Sequence, residues 1–333
     1  MAFARPWSWT VATRRTTWLA EHRSYSCNRI PNAIASKFVV NKQALIDAIR
    51  NSGGAQGALD EVDELWVRVD YLQKTGRYGA LISQVAVTSE RGNFLALTLE
   101  INFAYQFESR GRELQYEVGQ DAQQNSTIDF LRISPGDEQV FFEFRIMQQP
   151  QDIADSIARR IECTERYAIA LDAEDERDAV VRIQRNIVSK VQDKKGNPIK
   201  FLSIAKNTIN IVVVDIADCM LGMLDIHDCM LACQGDPGVE EPYRRKVFGL
   251  FQQDMPHYPR RIHDLAETYA HIRGTIHGIL FLDRVGVKIL TYRLCHYLVW
   301  NPALIDESTA RGILADVSAA IPAHRSLSNY EYG

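Results

Sequence analysis

Ser126-Thr127-Ile128-Asp129-Phe130-Leu131-Arg132-Ile133 and Gln139-Val140-Phe141-Phe142-Glu143-Phe144-Arg145-Ile146-Met147 are two short runs rich in β-branched and aromatic residues. Between them lies Ser134-Pro135-Gly136-Asp137-Glu138, a run of turn formers. The pair predicts a β-hairpin. With side chains alternating, Val140, Phe142, Phe144 and Ile146 share one face of the second strand, and Phe141, Glu143, Arg145 and Met147 share the other. Glu143 and Arg145 thus point the same way out of an apolar strand. Asp129, between Ile128 and Phe130, is brought toward Glu143 by antiparallel pairing. Two acids and a cation then converge on one surface. The ordinary alternative is a solvated face of an amphipathic hairpin, on which charges simply meet water.

Upstream, residues 94–107 form a strongly apolar helical run, with Gly111 as its stop. Glu100 is its only acidic residue. A carboxylate in that setting needs water, a cation or a metal beside it.

In order, the chain offers a helix with Glu100, a strand over Glu113–Val118, a strand with Asp129, a strand with Glu143-x-Arg145, and a later helix and strand. This order, over roughly residues 89–285, resembles the restriction-endonuclease-like, PD-(D/E)xK nuclease superfamily. The resemblance implies an α/β fold with an αβββαβ core and mixed sheet, preceded here by an N-terminal helical module. It further implies a metal-dependent nuclease that hydrolyses phosphodiesters, with Asp129, Glu143 and Arg145 catalytic. Glu100, Asp129 and Glu143 would hold Mg²⁺ or Mn²⁺, and the partner would be nucleic acid, DNA ahead of RNA. Gln184 and Arg185, on the helix after the third strand, are the implied nucleic-acid contacts, against a plain solvated face as the alternative. The resemblance also raises a homodimer as a candidate assembly. Arg145 departs from the family's motif lysine: an arginine can hold a phosphate bidentately but cannot act as a base. A catalytically inactive nuclease-fold binding or assembly module is therefore the competing reading.

Composition sets broad limits. The 333 residues, 46% hydrophobic, suffice for a sizeable core without staples, and a formal net charge of -4 gives no global basic signature for nucleic acid. Any such binding must use a local patch. Six scattered cysteines, with no disulfide framework to build, suit a reducing, cytoplasmic setting. No apolar stretch is long enough to span a bilayer, so no membrane partner is expected. The first residues carry Arg14, Arg15 and Arg23 and no acid before Glu21, which reads as a basic arm with a faint transit-peptide character.

The domain plan is an arm and helical module over 1–88, the α/β core over 89–290, and a C-terminal helix and tail over 291–333. Helices are expected over Asn41–Asn51, Leu59–Lys74, Asp152–Cys163, Glu174–Val191, Ile262–Arg273 and Glu307–Ile321; Gly79–Val87 reads as either helix or strand. Thr208–Asp215 is a nearly continuous apolar run and reads as a central strand, with a further buried strand over Gly274–Leu282. Cys219, Asp225, His227, Asp228, Cys229 and Cys233 crowd together but lack paired zinc-ligand spacing, so small core residues on a helix are the simpler reading. No glycine-rich phosphate loop and no G-x-S-x-G elbow is present.

Overall fold

The computed structural model describes residues 40–53, 56–119, 127–147, 176–201, 204–217, 226–235, 247–253 and 266–323. The N-terminal arm with Trp7, Trp9 and Trp18, the helix expected over Asp152–Cys163, and Cys219 and Asp225 lie outside them. Among the described residues there are nine helices and six strands: α1 (Lys42–Asn51), α2 (Gln56–Asp60), α3 (Val62–Thr75), α4 (Gly79–Val87), α5 (Arg91–Glu108), β1 (Gln115–Gly119), β2 (Thr127–Ile133), β3 (Gln139–Ile146), α6 (Glu176–Val191), β4 (Thr208–Asp215), α7 (Ile226–Gln234), α8 (Ala270–Thr275), β5 (Gly278–Val285), β6 (Arg293–Trp300) and α9 (Glu307–Ala320). No described helix is long and apolar enough to cross a membrane.

The strands form one mixed sheet in the order β1-β2-β3-β4-β5-β6. β1, β2 and β3 pair antiparallel, β4 lies parallel to both β3 and β5, and β6 returns antiparallel to β5. The β2–β3 hairpin closes as its turn residues direct: Ser134 Oγ accepts from the Gly136 and Glu138 N–H groups at 3.1 Å each, and Asp137 takes φ +66°.

The sheet is buried on both faces. Phe130, Val140, Phe142 and Phe144 pack with Leu280, Leu298 and Trp300 against α1 to α5 and α9, whereas Phe141, Val212, Val214, Phe281 and Val299 pack against α6, α7 and α8. The alternation read from β3 therefore holds, with apolar partners waiting on either side. α5 is buried nearly all round, and its C-terminus is closed by the Arg112 N–H to Phe107 O (3.0 Å) and the Gly111 N–H to Glu108 O (2.9 Å), with Gly111 at φ +70°.

α3 is clamped to the far end of the sheet. Glu61, just before its first residue, accepts from the Ile289, Leu290 and Thr291 N–H groups, while Arg68 donates to the carbonyls of Thr291 (2.8 Å) and Tyr292 (2.9 Å). Those four residues end the return from β5 and lead directly into β6. The first helices are thereby bonded to the C-terminal strand pair.

β6 also anchors the segment after α9. The His296 main-chain N–H donates to Pro322 O at 3.0 Å and its Nδ1 to Ile321 O at 2.8 Å. Burial holds the His296 pKa down at about 4, despite these backbone bonds. The ring is thus neutral when folded, and protonation favours the unfolded chain. Its contribution is intact above the unfolded value near 6.5 and disappears as pH falls toward 4, a swing of about 3 kcal/mol. Urea midpoints measured between pH 7 and pH 4 should fall steeply in the wild type and less in His296→Asn, whose amide can still donate to Ile321. Equal slopes would assign the acid sensitivity to other groups.

Candidate active site

The site lies where the β2–β3 ladder opens. Main-chain pairing runs from Ile133↔Gln139 to Phe130↔Phe142 and ends there. Beyond that point carboxylates replace main-chain partners: Asp129 Oδ2 accepts the Phe144 N–H at 2.8 Å, and the Asp129 N–H donates to Glu143 Oε2 at 3.3 Å. The neighbouring strand bends with it. Glu117, between the paired residues Tyr116 and Val118 of β1, adopts φ +52°, uncommon for a residue other than glycine. Tyr116 and Phe130 consequently face one core layer, while Val118 and Ile128 face the other. Side-chain alternation along Leu114, Tyr116 and Val118 is broken at Glu117, and Asp129 sits opposite the break.

Two lysines close the cluster. Lys190, from the last turn of α6, places Nζ 2.7 Å from Glu143 Oε1 and 4.0 Å from Asp129 Oδ2. Lys200, from the loop after α6, places Nζ 3.0 Å from the same Glu143 oxygen and donates to Thr127 O. Asp129 is 1% exposed and Glu143 0%. Burial raises the Glu143 pKa, Asp129 adds to the rise, and the two lysines oppose it. Burial pulls the Lys190 pKa down, but Glu143 and Asp129 outweigh it and leave the amine above its ordinary value.

The other sequence-derived candidates are placed as follows. Glu100, on α5, accepts from the Tyr116 hydroxyl at 2.9 Å and is close enough to strengthen the charge on Lys190. Arg145 does not pair with Glu143. Its guanidinium lies 3.3 to 3.4 Å from Asn186 Oδ1 of α6, with no carboxylate partner among the described residues, and burial lowers its pKa. Gln184 is buried and occupied within the fold: Nε2 donates to Ala232 O (2.9 Å) and Phe248 O (2.7 Å), and Oε1 accepts from the Tyr269 hydroxyl (3.1 Å). Arg185 is exposed. Lys190 and Lys200 are the functional candidates that sequence reasoning passed over. Lys190 carried a signal, because it falls three residues after Ile187 and seven after Ile183, on the buried stripe of α6. Lys200 carried none; only the fold brings its loop to Glu143.

Among the described residues no three His, Cys, Asp or Glu side chains come together as a metal-binding group. Asp129 and Glu143 alone still match what a small hard cation takes from a protein, since Mg²⁺ commonly uses one or two carboxylates and completes its shell with water and phosphate oxygens. No family model, curated protein or solved structure matches the chain. The functional reading rests on the geometry of this cluster.

Proposed function

We propose that the protein is a phosphodiester-hydrolysing enzyme of the PD-(D/E)xK type acting on nucleic acid, DNA ahead of RNA. The observation that carries this reading is the convergence of Asp129, Glu143, Lys190 and Lys200 at the opened end of the β2–β3 ladder. Buried acids and cations placed at a break in regular pairing are expensive for stability and are typical of reactive sites. The strand order supports the αβββαβ core: α5 precedes three antiparallel strands, α6 follows, and β4 lies parallel to β3.

Asp129 and Glu143 would hold Mg²⁺ or Mn²⁺; when bound, such an ion lowers the pKa of water and offsets phosphate charge. Lys190 stands where a cation can support the phosphate beside Glu143, the place that sequence resemblance gave to Arg145. Arg145, without a carboxylate partner among the described residues, can grip a phosphate farther along the strand. The second reading, a non-catalytic binding or assembly module, is favoured by one observation: the lysines already pair with the Glu143 charge from within the chain.

Purified protein incubated with plasmid DNA and with single-stranded RNA in Mg²⁺ or Mn²⁺ separates the two. Cleavage is expected in the wild type and absent in Asp129→Asn and Glu143→Gln, with folding checked by circular dichroism. A wild type that cuts neither substrate and binds no divalent ion would leave the module reading standing.

A further inference from the structure

Among the described residues the ion pairs of the cluster are matched before any ligand arrives. Asp129 and Glu143 supply two negative charges, and Lys190 and Lys200 supply two positive ones. Both lysines converge on a single oxygen, Glu143 Oε1, at 2.7 and 3.0 Å, so a cation approaching that oxygen meets two ammonium groups. A divalent ion entering alone would add two uncompensated charges to a site whose central carboxylate is fully buried, which low local polarity strongly opposes. A phosphate ester entering with it supplies the missing negative charge and gives the displaced ammonium groups a new partner.

We infer that the site takes up a divalent cation and a phosphate ester together, with Lys190 and Lys200 moving from Glu143 to the phosphate as the cation takes the carboxylate. The inference rests on the reading of Asp129 and Glu143 as cation ligands. Both lysines can swing from held backbones. Lys200 has its main-chain N–H on Val191 O (3.3 Å) and its carbonyl on His271 Nε2 (3.1 Å), while its ammonium also donates to Thr127 O; Lys190 projects from the last turn of α6.

Mn²⁺ binding to the full chain, measured by calorimetry with and without a short phosphorothioate DNA duplex, tests the coupling; thymidine 5′-monophosphate in a parallel arm distinguishes a terminal phosphate from a diester. The duplex or the monophosphate should tighten Mn²⁺ binding about ten- to a hundred-fold, within the usual range of coupled sites. Lys200→Met should bind Mn²⁺ alone more tightly than the wild type and show a smaller gain from the phosphate ligand, and Asp129→Asn should bind weakly throughout. Equal Mn²⁺ affinity of the wild type with and without either phosphate ligand overturns the inference while leaving the cation site intact. No Mn²⁺ binding by wild type or Lys200→Met under any of these conditions overturns the underlying reading as well. Should Lys200→Met fail to fold, the wild-type comparison alone decides.

Discussion

Glu143→Leu is expected to lose about 3–5 kcal/mol of stability, the effect of breaking a buried ion pair by removing one partner. Leucine adds apolar bulk but leaves Lys190 and Lys200 facing each other across the space where their shared oxygen stood. It also leaves the Asp129 N–H without the Glu143 Oε2 acceptor. Adding Lys190→Met should restore a large part of the loss, because one of the stranded cations goes with it. The four-way comparison in urea reads the coupling directly, and strictly additive losses would mean that the charges act independently. The pH dependence gives a second readout. Lys190 is held above its ordinary pKa by Glu143 and Asp129, so its contribution is present below the unfolded value near 10.5 and is lost as pH rises through the folded one. That alkaline loss should shrink in Glu143→Leu.

Arg68→Met should be comparably damaging, at about 3–5 kcal/mol, although it lies far along the chain from the acids. The Arg68 guanidinium is almost fully enclosed and donates to Asn102, to the carbonyls of Thr291 and Tyr292, and more distantly to Glu64 at 3.4 Å, with the Tyr105 ring 5.3 Å beneath it. Methionine fills much of the same volume and supplies no donor. Two carbonyls and the Asn102 oxygen would then lose their Arg68 donor bonds inside the protein. Arg68→Lys should recover only a fraction, since one ammonium cannot span acceptors that the planar fork reaches at once. A thermal midpoint for Arg68→Met within about a degree of wild type would show the clamp to be dispensable, given that 1 kcal/mol shifts domains of this size by roughly 2–4 °C.

How far the sequence could be read depended on how each element is buried. β3 was legible because its two faces meet different surroundings, and β4 because its unbroken Ile211–Val214 core is apolar on both sides. The same both-sided burial hid β6. Leu294 to Trp300 lacks alternation, and no turn former inside it marks a register. α4 left helix and strand undecided for a related reason: Leu81, Ile82, Ser83, Gln84 and Val85 are buried in succession, so no periodicity survives. At the site, the approach of Asp129 to Glu143 follows from hairpin pairing alone. What pairing cannot supply is the direction of a cation. Arg145 shares a strand face with Glu143 yet turns to Asn186, and the charge beside Glu143 comes instead from α6 and from a loop beyond the Asp193–Asn197 turn.

The clamp between α3 and the β5–β6 return bears on how the chain reaches this structure. Arg68 and Tyr292 are 224 positions apart, a contact that is slow to form because a very long loop must close first. Helices α1 to α5 leave the ribosome well before β6 exists, while the core layer they share with Leu294, Leu298 and Trp300 is still incomplete. Until the last strand pair arrives, that apolar surface is open to other chains. Aggregation during synthesis, more than loss of the finished fold, is then the main hazard for any variant that slows the joining of the two ends.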